Sequence, residues 1–338
     1  MPVRRILAIF AVALAVAGSG YTAYWFHVAG LLRNSLESWA GHRRSQGWTV
    51  SWSQMETGGY PWHVRVELHD PLLVNPHGLR WSTGQLTGNV DPFNWTHLRL
   101  DAPGRHLLDA PGGRLDLTAV SARAEINLDL KGTLEDATLL ISGLNAAGIG
   151  PEPLTMAGLA VTWDPLPVAK PDHTTATVRF SATAHGIMLP ALANLPLDRR
   201  VTLAEITGRI MGAIPEDAPA RALPRWSADG GTVELDHVTL EWEPLALEGD
   251  GTLALDPQGQ ILAALSAHVR GFGPLMDRLA EAGTITADAA NTAKTVLALM
   301  AKPDAKGRPA VPVPVSLQDG ALFLGPAQVA KMPLIRWE

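Results

Sequence analysis

The chain has no cysteine. That absence removes disulfides, thiolate metal sites, iron–sulfur clusters and cysteine nucleophiles together. It also suits an oxidising compartment, where a stray thiol can mispair. Charge is scarce as well. Charged residues make up 18% of the chain, against about 25% in ordinary soluble domains. No basic run exceeds Arg43-Arg44 or Arg199-Arg200. The electrostatic footprint of nucleic-acid binding is therefore missing, and nucleic acid is not expected as a partner.

The usual catalytic signatures are also lacking. There is no Gly-x-Ser-x-Gly elbow, no glycine-rich phosphate loop and no His-Glu-x-x-His. The eleven histidines are scattered. His63 and His69 fall on one face of a strand-like run, but six residues separate them by about 20 Å, so they cannot share a metal. The acidic pairs Glu135-Asp136 and Glu216-Asp217 read as solvated turns. No catalytic residue, metal site or cofactor is expected, and the protein is not expected to be an enzyme.

What is present is apolar: 46% of residues are hydrophobic, and eleven are Trp against three Tyr and six Phe. Arg4 and Arg5 precede Ile6–Phe26, a stretch without a formal charge. As a helix it is about 31 Å long, close to the hydrocarbon thickness of a bilayer. Tyr21, Tyr24, Trp25 and Phe26 are expected to form an aromatic belt at the far membrane interface. Residues 1–27 thus read as an uncleaved signal anchor. The competing reading is a signal peptide cut after Ala15-Val16-Ala17. Arg4-Arg5 place the N-terminus in the cytoplasm and the body in the periplasm, with the inner-membrane bilayer as the first partner. A helical pattern follows over 28–47. Val28, Leu31, Leu32, Leu36, Trp39 and Ala40 share a face, and the helix is expected to end near Gly47.

From Trp48 the period changes to two. In "TGGYPWHVRVELHDPLL" (57–73), Trp62, Val64, Val66 and Leu68 alternate with His63, Arg65, Glu67 and His69, and Asp70-Pro71 is expected to stop the run. Comparable runs include Ala122–Leu130, Val178–Ala184 and Val311–Leu317. Val233 and Leu235 change register at Asp236-His237 into Val238, Leu240 and Trp242, as a β-bulge would. Pro312 and Pro314 predict an edge strand. The pattern Gly-x-Leu/Val-x-Leu recurs in "GRLDL", "GTVEL", "GTLAL" and "GALFL", each Gly serving as a turn before a strand. Clean alternation argues for antiparallel sheets with one buried and one wet face. The class is mainly β: a transmembrane helix, then large curved antiparallel sheets forming a groove or a sandwich, with a few covering helices. A first β-unit is expected over 48–160 and a second over 161–338. The second carries a helical insertion at 273–301, broken near Gly283–Thr286. Pro/Gly-rich connections fall at 148–153, 164–173 and 214–225.

The anchor, the amphipathic helix, "GGYPWHVRVELHDP", "LEGDGTLALDPQGQ" and the terminal "PVSLQDGALFLGPAQVAKMP" together resemble a bacterial family, the domain of unknown function 2125. The resemblance runs through nearly the whole chain. It carries no established activity, so it implies no catalytic residues. The strand texture is also similar in form to AsmA-like envelope proteins, whose anchored, groove-shaped sheets are associated with moving or holding lipids. Two readings follow. In one, Trp62, Val64, Val66 and Leu68, with Leu253, Leu255, Leu322 and Leu324, face a groove that binds or passes lipid. In the other, the same residues form a dry core, and a free sheet edge recruits an envelope protein partner.

Overall fold

The helix that opens the chain does not break where the membrane segment should end. In the computed structural model α1 (Val3–Ser45) is continuous. No proline interrupts it, so the two segments expected to meet at residue 27 run on as one rod over Val3–Ser45. His42, Arg43 and Arg44 lie in its last turn, where cations suit the helix dipole. Gly47, at φ +86°, reverses the chain just beyond. Arg44 then donates to the Val50 carbonyl at 2.8 Å, and its guanidinium covers the Trp52 ring at 5.5 Å. The helix end is thereby tied to the first strand.

The structure describes residues 3–331 apart from 111–112, 149, 151, 191–197, 216–218, 284, 305–306 and 325–326. It is mainly antiparallel β, as expected. The chain divides into two compact units, Met1–Leu134 and Glu135–Glu338. The sequence placed the division near residue 160. The Pro/Gly-rich stretches that suggested it are hairpin connections inside the second unit, whose strands pair straight across them.

Unit 1 is built from bent strands. β1 (Thr49–Ser51) and β2 (Gln54–Gly58) are halves of one strand. So are β3 (Val64–His69) with β4 (Leu72–Val74), and β5 (Arg80–Thr83) with β6 (Gln85–Asp91). β7 (Asn94–Asp101) with β8 (Gly104–Ala110), and β9 (Gly113–Ala119) with β10 (Ser121–Leu128), repeat the device. Register shows the continuity. Thr49 pairs Val74 and Gln54 pairs His69, with no residue gained between them. Val64–Val90 and Leu72–Ser82 are likewise in step. The next two crossings each slip by one residue: Val90–Leu98 against Thr83–His106, then Leu100–Ala124 against Gly104–Ala119. The result is a meander with a corner running through it. Asp70-Pro71 therefore bends its strand rather than ending it. Asp70 takes φ +48° there and donates its N–H to the Gly84 carbonyl at 2.9 Å. Asp is among the few residues that tolerate this backbone.

Unit 2 is a second meander. Its strands are β11 (Leu134–Ala147), β12 (Leu154–Pro165), β13 (Ala176–Met188), β14 (Arg200–Met211), β15 (Thr232–Trp242), β16 (Leu245–Leu255) and β17 (Ile261–Arg270). β18 (Lys302–Pro303), β19 (Pro309–Gln318), β20 (Ala321–Leu324) and β21 (Ala327–Lys331) complete it. The bulge is where the sequence put it: Thr207 pairs His237, Gly208 pairs Leu235, and Asp236 is skipped. The proline strand is not an edge. β19 pairs β17 on one side and β20 on the other. However, β20 covers only Val315–Gln318. Two residues apart, Pro312 and Pro314 turn their missing N–H groups to the same side of the strand, upstream of where β20 begins. The recurring glycine also has two uses. Gly113 and Gly320 have positive φ at turns, whereas Gly251 lies inside β16. A Cβ there would sit 2.3 Å from the Ala264 carbonyl oxygen, so closely do the strands approach.

Helices cover parts of this unit. α3 (Phe272–Glu281) and α4 (Ala287–Met300) are the expected broken pair, and the Thr286 hydroxyl caps α4 by accepting from the Ala289 N–H at 3.2 Å. α2 (Pro219–Ala228) occupies a stretch read from its prolines as loop. Its buried Trp226 donates to the Met211 carbonyl at 2.8 Å, which holds the helix on the sheet.

Glu248, Arg270, Asp304 and Arg308 form a network in unit 2. Arg270 and Arg308 both reach Glu248 at 2.9 Å. Asp304, with its side chain 4% exposed, accepts from Arg308 at 2.8 Å and lies 3.5 Å from Arg270. Removing one partner strands the others. Asp304→Ala should destabilise unit 2 by about 3 kcal/mol, read from chemical denaturation of the purified protein.

Asp172 shows the exposed counterpart. The Thr175 and Thr174 hydroxyls and the Thr174 N–H donate to its carboxylate and lower its pKa to about 2. The folded value lies below the unfolded value of about 3.9. The stabilisation is thus complete above about pH 4 and disappears as pH falls through about 2. An NMR titration should find this carboxyl still ionised at pH 3, where its free counterparts are mostly protonated.

Candidate functional site

α1 lies over the apolar face of the β3–β6–β7 ladder. Its inner stripe is Tyr21, Trp25, Val28, Ala29, Leu32, Leu36 and Ala40, spaced three and four apart. Trp25 and Ala29 are buried against Val64, with Tyr21, Val28 and Leu32 around them. Leu31 and Trp39, expected on this face, are half exposed instead. The sheet's other face is wet. Arg99 faces Glu125 at 3.4 Å and Arg123 meets Asp101 at 2.8 Å across neighbouring strands.

The aromatic residues of the helix turn inward rather than out to lipid. Trp25, expected at the membrane interface, is 3% exposed. Its indole N–H donates to the His63 carbonyl at 3.1 Å. The Tyr21 hydroxyl donates to the Pro61 carbonyl, and Tyr24 donates to the Pro92 carbonyl at 2.7 Å. Thr22 and Tyr60 share a hydroxyl hydrogen bond of 2.8 Å. Phe93 stacks on both Tyr21 and Tyr24, with centroids 5.8 Å apart in each pair. Phe26 alone of the predicted belt is largely exposed. About one and a half turns of helix, Tyr21–Phe26, thus grip two sheet tips, residues 59–63 and 91–94. Gly59 makes the first tip possible. Its φ is +96°, and a Cβ would lie 2.5 Å from the His63 carbonyl oxygen.

Beside this contact the helix and sheet part, leaving an apolar trough. Its wider section, about 500 Å³, is walled by Tyr24, His27, Val28, Leu31, Leu32, Ser35, Val90 and Trp95. A narrower section, about 180 Å³, shares Leu32 and Ser35 and continues between Leu36 and the floor of Val66, Leu68, Leu86, Gly88, Leu98 and Leu100. From Tyr24 to Leu36 the trough follows the helix for about 18 Å. His27 and Ser35 are the polar interruptions, with the Tyr24 hydroxyl near one end.

The predicted groove residues fare differently. Val64, Val66 and Leu68 are buried on β3, and the last two floor the trough. Trp62 does not continue their face. The strand starts at Val64, and Trp62 stands in the tip, 82% exposed. Leu253 and Leu255 are half-buried on β16 of unit 2. Leu322 and Leu324 belong to β20, but their side chains lie outside the described residues. The helix wall and the β6–β7 floor escaped the sequence reading. The signal was there: Leu32 and Leu36 on the helical stripe, and Leu98 and Leu100 alternating with Arg99. Nothing in it said that these two surfaces meet.

Fold and site define a class: an antiparallel β-meander protein introduced by one helix, α1, which is long and apolar enough to cross a membrane. Residues 25–333 match the family model described as an uncharacterized protein conserved in bacteria (DUF2125), and the chain belongs to that family. No curated protein and no solved structure matches it.

Proposed function

We propose that this is a membrane-anchored envelope protein whose helix–sheet trough binds a lipid acyl chain. The trough itself carries the reading. It is long, narrow and mostly apolar, and it begins where α1 leaves the proposed span. Enclosing ten methylenes there is worth about 8 kcal/mol before the cost of ordering the chain. In this reading the protein holds lipid or passes it on. Arg4-Arg5 favour a cytoplasmic N-terminus, with the body in the periplasm on the inner membrane.

The test uses the full chain, extracted in mild detergent, washed free of bulk lipid and examined by native mass spectrometry. An acylated lipid should remain bound at a fixed stoichiometry. A chain that sheds all lipid under these conditions sinks the proposal.

The scaffold reading keeps one specific support. β2 pairs β3 alone among the described strands and is mostly exposed, so its outer edge is free to add a partner's strand. Crosslinking from Gln54 in the native envelope would then trap a protein neighbour, whether or not lipid is bound.

A further inference from the structure

We propose that the two aromatic tips of unit 1 are inserted in the bilayer surface, flanking α1 at the level where it emerges. This rests on the reading of α1 as a membrane span. It adds a second, separate membrane contact made by the β-body.

The argument begins with what the tips display. Trp62 is 82% exposed and Phe93 75%, and Tyr60 and Trp95 are half exposed beside them. The stretch 59–63 contains no Lys, Arg, Asp or Glu, and the one charged residue of the second tip is Asp91 at its base, whose carboxylate accepts from the Phe93 N–H at 2.8 Å. Large apolar rings fully in water on both tips at once are costly. The same rings are favoured in the interfacial zone of a membrane. The tips are also held rigidly to the helix by the Tyr21, Thr22, Tyr24 and Trp25 hydrogen bonds, so their depth is fixed by the depth of α1.

That depth can be worked out. A span of about 20 residues counted from Ile6 reaches the hydrocarbon boundary near Trp25. The tip around Pro61 is fastened at Tyr21, four residues nearer the membrane centre, or about 6 Å. Interfacial elements bury their apolar faces about 5–10 Å into the headgroup and acyl boundary. The geometry of the anchor and the chemistry of the tips therefore point to the same level. Docking there also places Tyr24 and Trp95, at one end of the trough, among the headgroups. A lipid chain then reaches the trough from the leaflet without crossing water.

The absence of cysteine makes the test clean. Single variants Trp62→Cys and Phe93→Cys are spin-labelled in the full chain and reconstituted in phospholipid vesicles. Trp62→Cys removes an exposed ring, and Phe93→Cys gives up the stacks on Tyr21 and Tyr24 but leaves the hydrogen bonds that hold both tips to the helix. Val120→Cys and Leu130→Cys, at exposed apolar positions elsewhere in unit 1, serve as water references, and Ala13→Cys as the hydrocarbon reference. Labels at 62 and 93 should be more accessible to oxygen than to a water-soluble nickel complex, with depths about 5–10 Å inside the headgroup boundary. Labels at 120 and 130 should show the reverse. If 13 reports hydrocarbon while 62 and 93 behave like 120 and 130, the tips lie in water and the proposal falls with the anchor intact. If 13 also reports water, the anchor reading fails and takes this proposal with it. Neither result decides whether the trough retains lipid, which the mass-spectrometric experiment reads independently.

Discussion

Gly88→Leu should leave the sheet folded and strip the protein of bound lipid. Gly88 sits mid-strand on the trough floor, opposite Val66 on β3 and Leu100 on β7. Its backbone is ordinary for a strand, so any L-residue is accepted. A Cβ would lie 3.5 Å from a Leu100 methyl and 4.0 Å from a Leu98 methyl, ordinary van der Waals distances. The first carbon therefore fits, and the remaining three have only the trough to enter. Denying a bound chain the contact of about three methylenes costs about 2.4 kcal/mol, on the order of 50-fold in affinity. Strand stability should hold or rise slightly, because glycine inside a strand is entropically costly. Retained lipid, measured against the unaltered chain by mass spectrometry, is the readout, with thermal melting as the control. Gly88→Ala adds one carbon and should retain most of the lipid. Unchanged retention in Gly88→Leu, with an unchanged melt, would show that any lipid bound by the protein sits elsewhere.

How far such a site could be read from the sequence depends on which interactions are local. The alternation of Val64, Val66 and Leu68 with Arg65 and Glu67 is a property of one strand, and it survives intact. So does the bulge at Asp236, because the hydrophobic register changes within a few residues. The break between α3 and α4 at Gly283 is equally local. Bends are harder. Asp70-Pro71 looks like a stop, and only the register of the neighbouring strands shows that the chain carries on through the corner. Gly251 looks like the turn glycines of its sister motifs, yet the backbone of β17 is what excludes a side chain there. Pro312 and Pro314 would suit an edge, but β19 is an edge only over part of its length. The trough is the least legible feature. It is a gap between a helix and three strands that are 30 to 70 residues away in sequence, and no single segment records it. The aromatic residues near the membrane mislead for the same reason. Tyr21, Tyr24, Trp25 and Phe26 match an interfacial belt by composition. Their direction is set by the tips they grip.

That difference gives Trp25→Ala its meaning. At a lipid-facing interface position, truncating this residue would cost little folding stability. In the structure it fills the contact between α1 and β3, edge-on to Tyr60 at 5.5 Å, against Val64 and Ala29, with its N–H on the His63 carbonyl. Replacing a buried Trp by Ala costs about 4 kcal/mol, the sum of lost apolar burial and the cavity left behind. The His63 carbonyl also loses its donor, which is part of that cost. Helix and sheet should then separate locally, while the ladder of unit 2, which does not involve this contact, stays closed. Hydrogen exchange resolves the two. Amides of β3 should exchange about a thousandfold faster in Trp25→Ala, the equivalent of 4 kcal/mol, and those of β13 and β14 at their original rates. Trp25→Phe keeps an aromatic ring in the contact but loses the hydrogen bond and part of the indole's volume, so it should cost about 2 kcal/mol, less than the alanine variant. A β3 exchange rate unmoved by the alanine variant would mean that Trp25 faces lipid after all, and that α1 is held to the sheet by its lower turns alone.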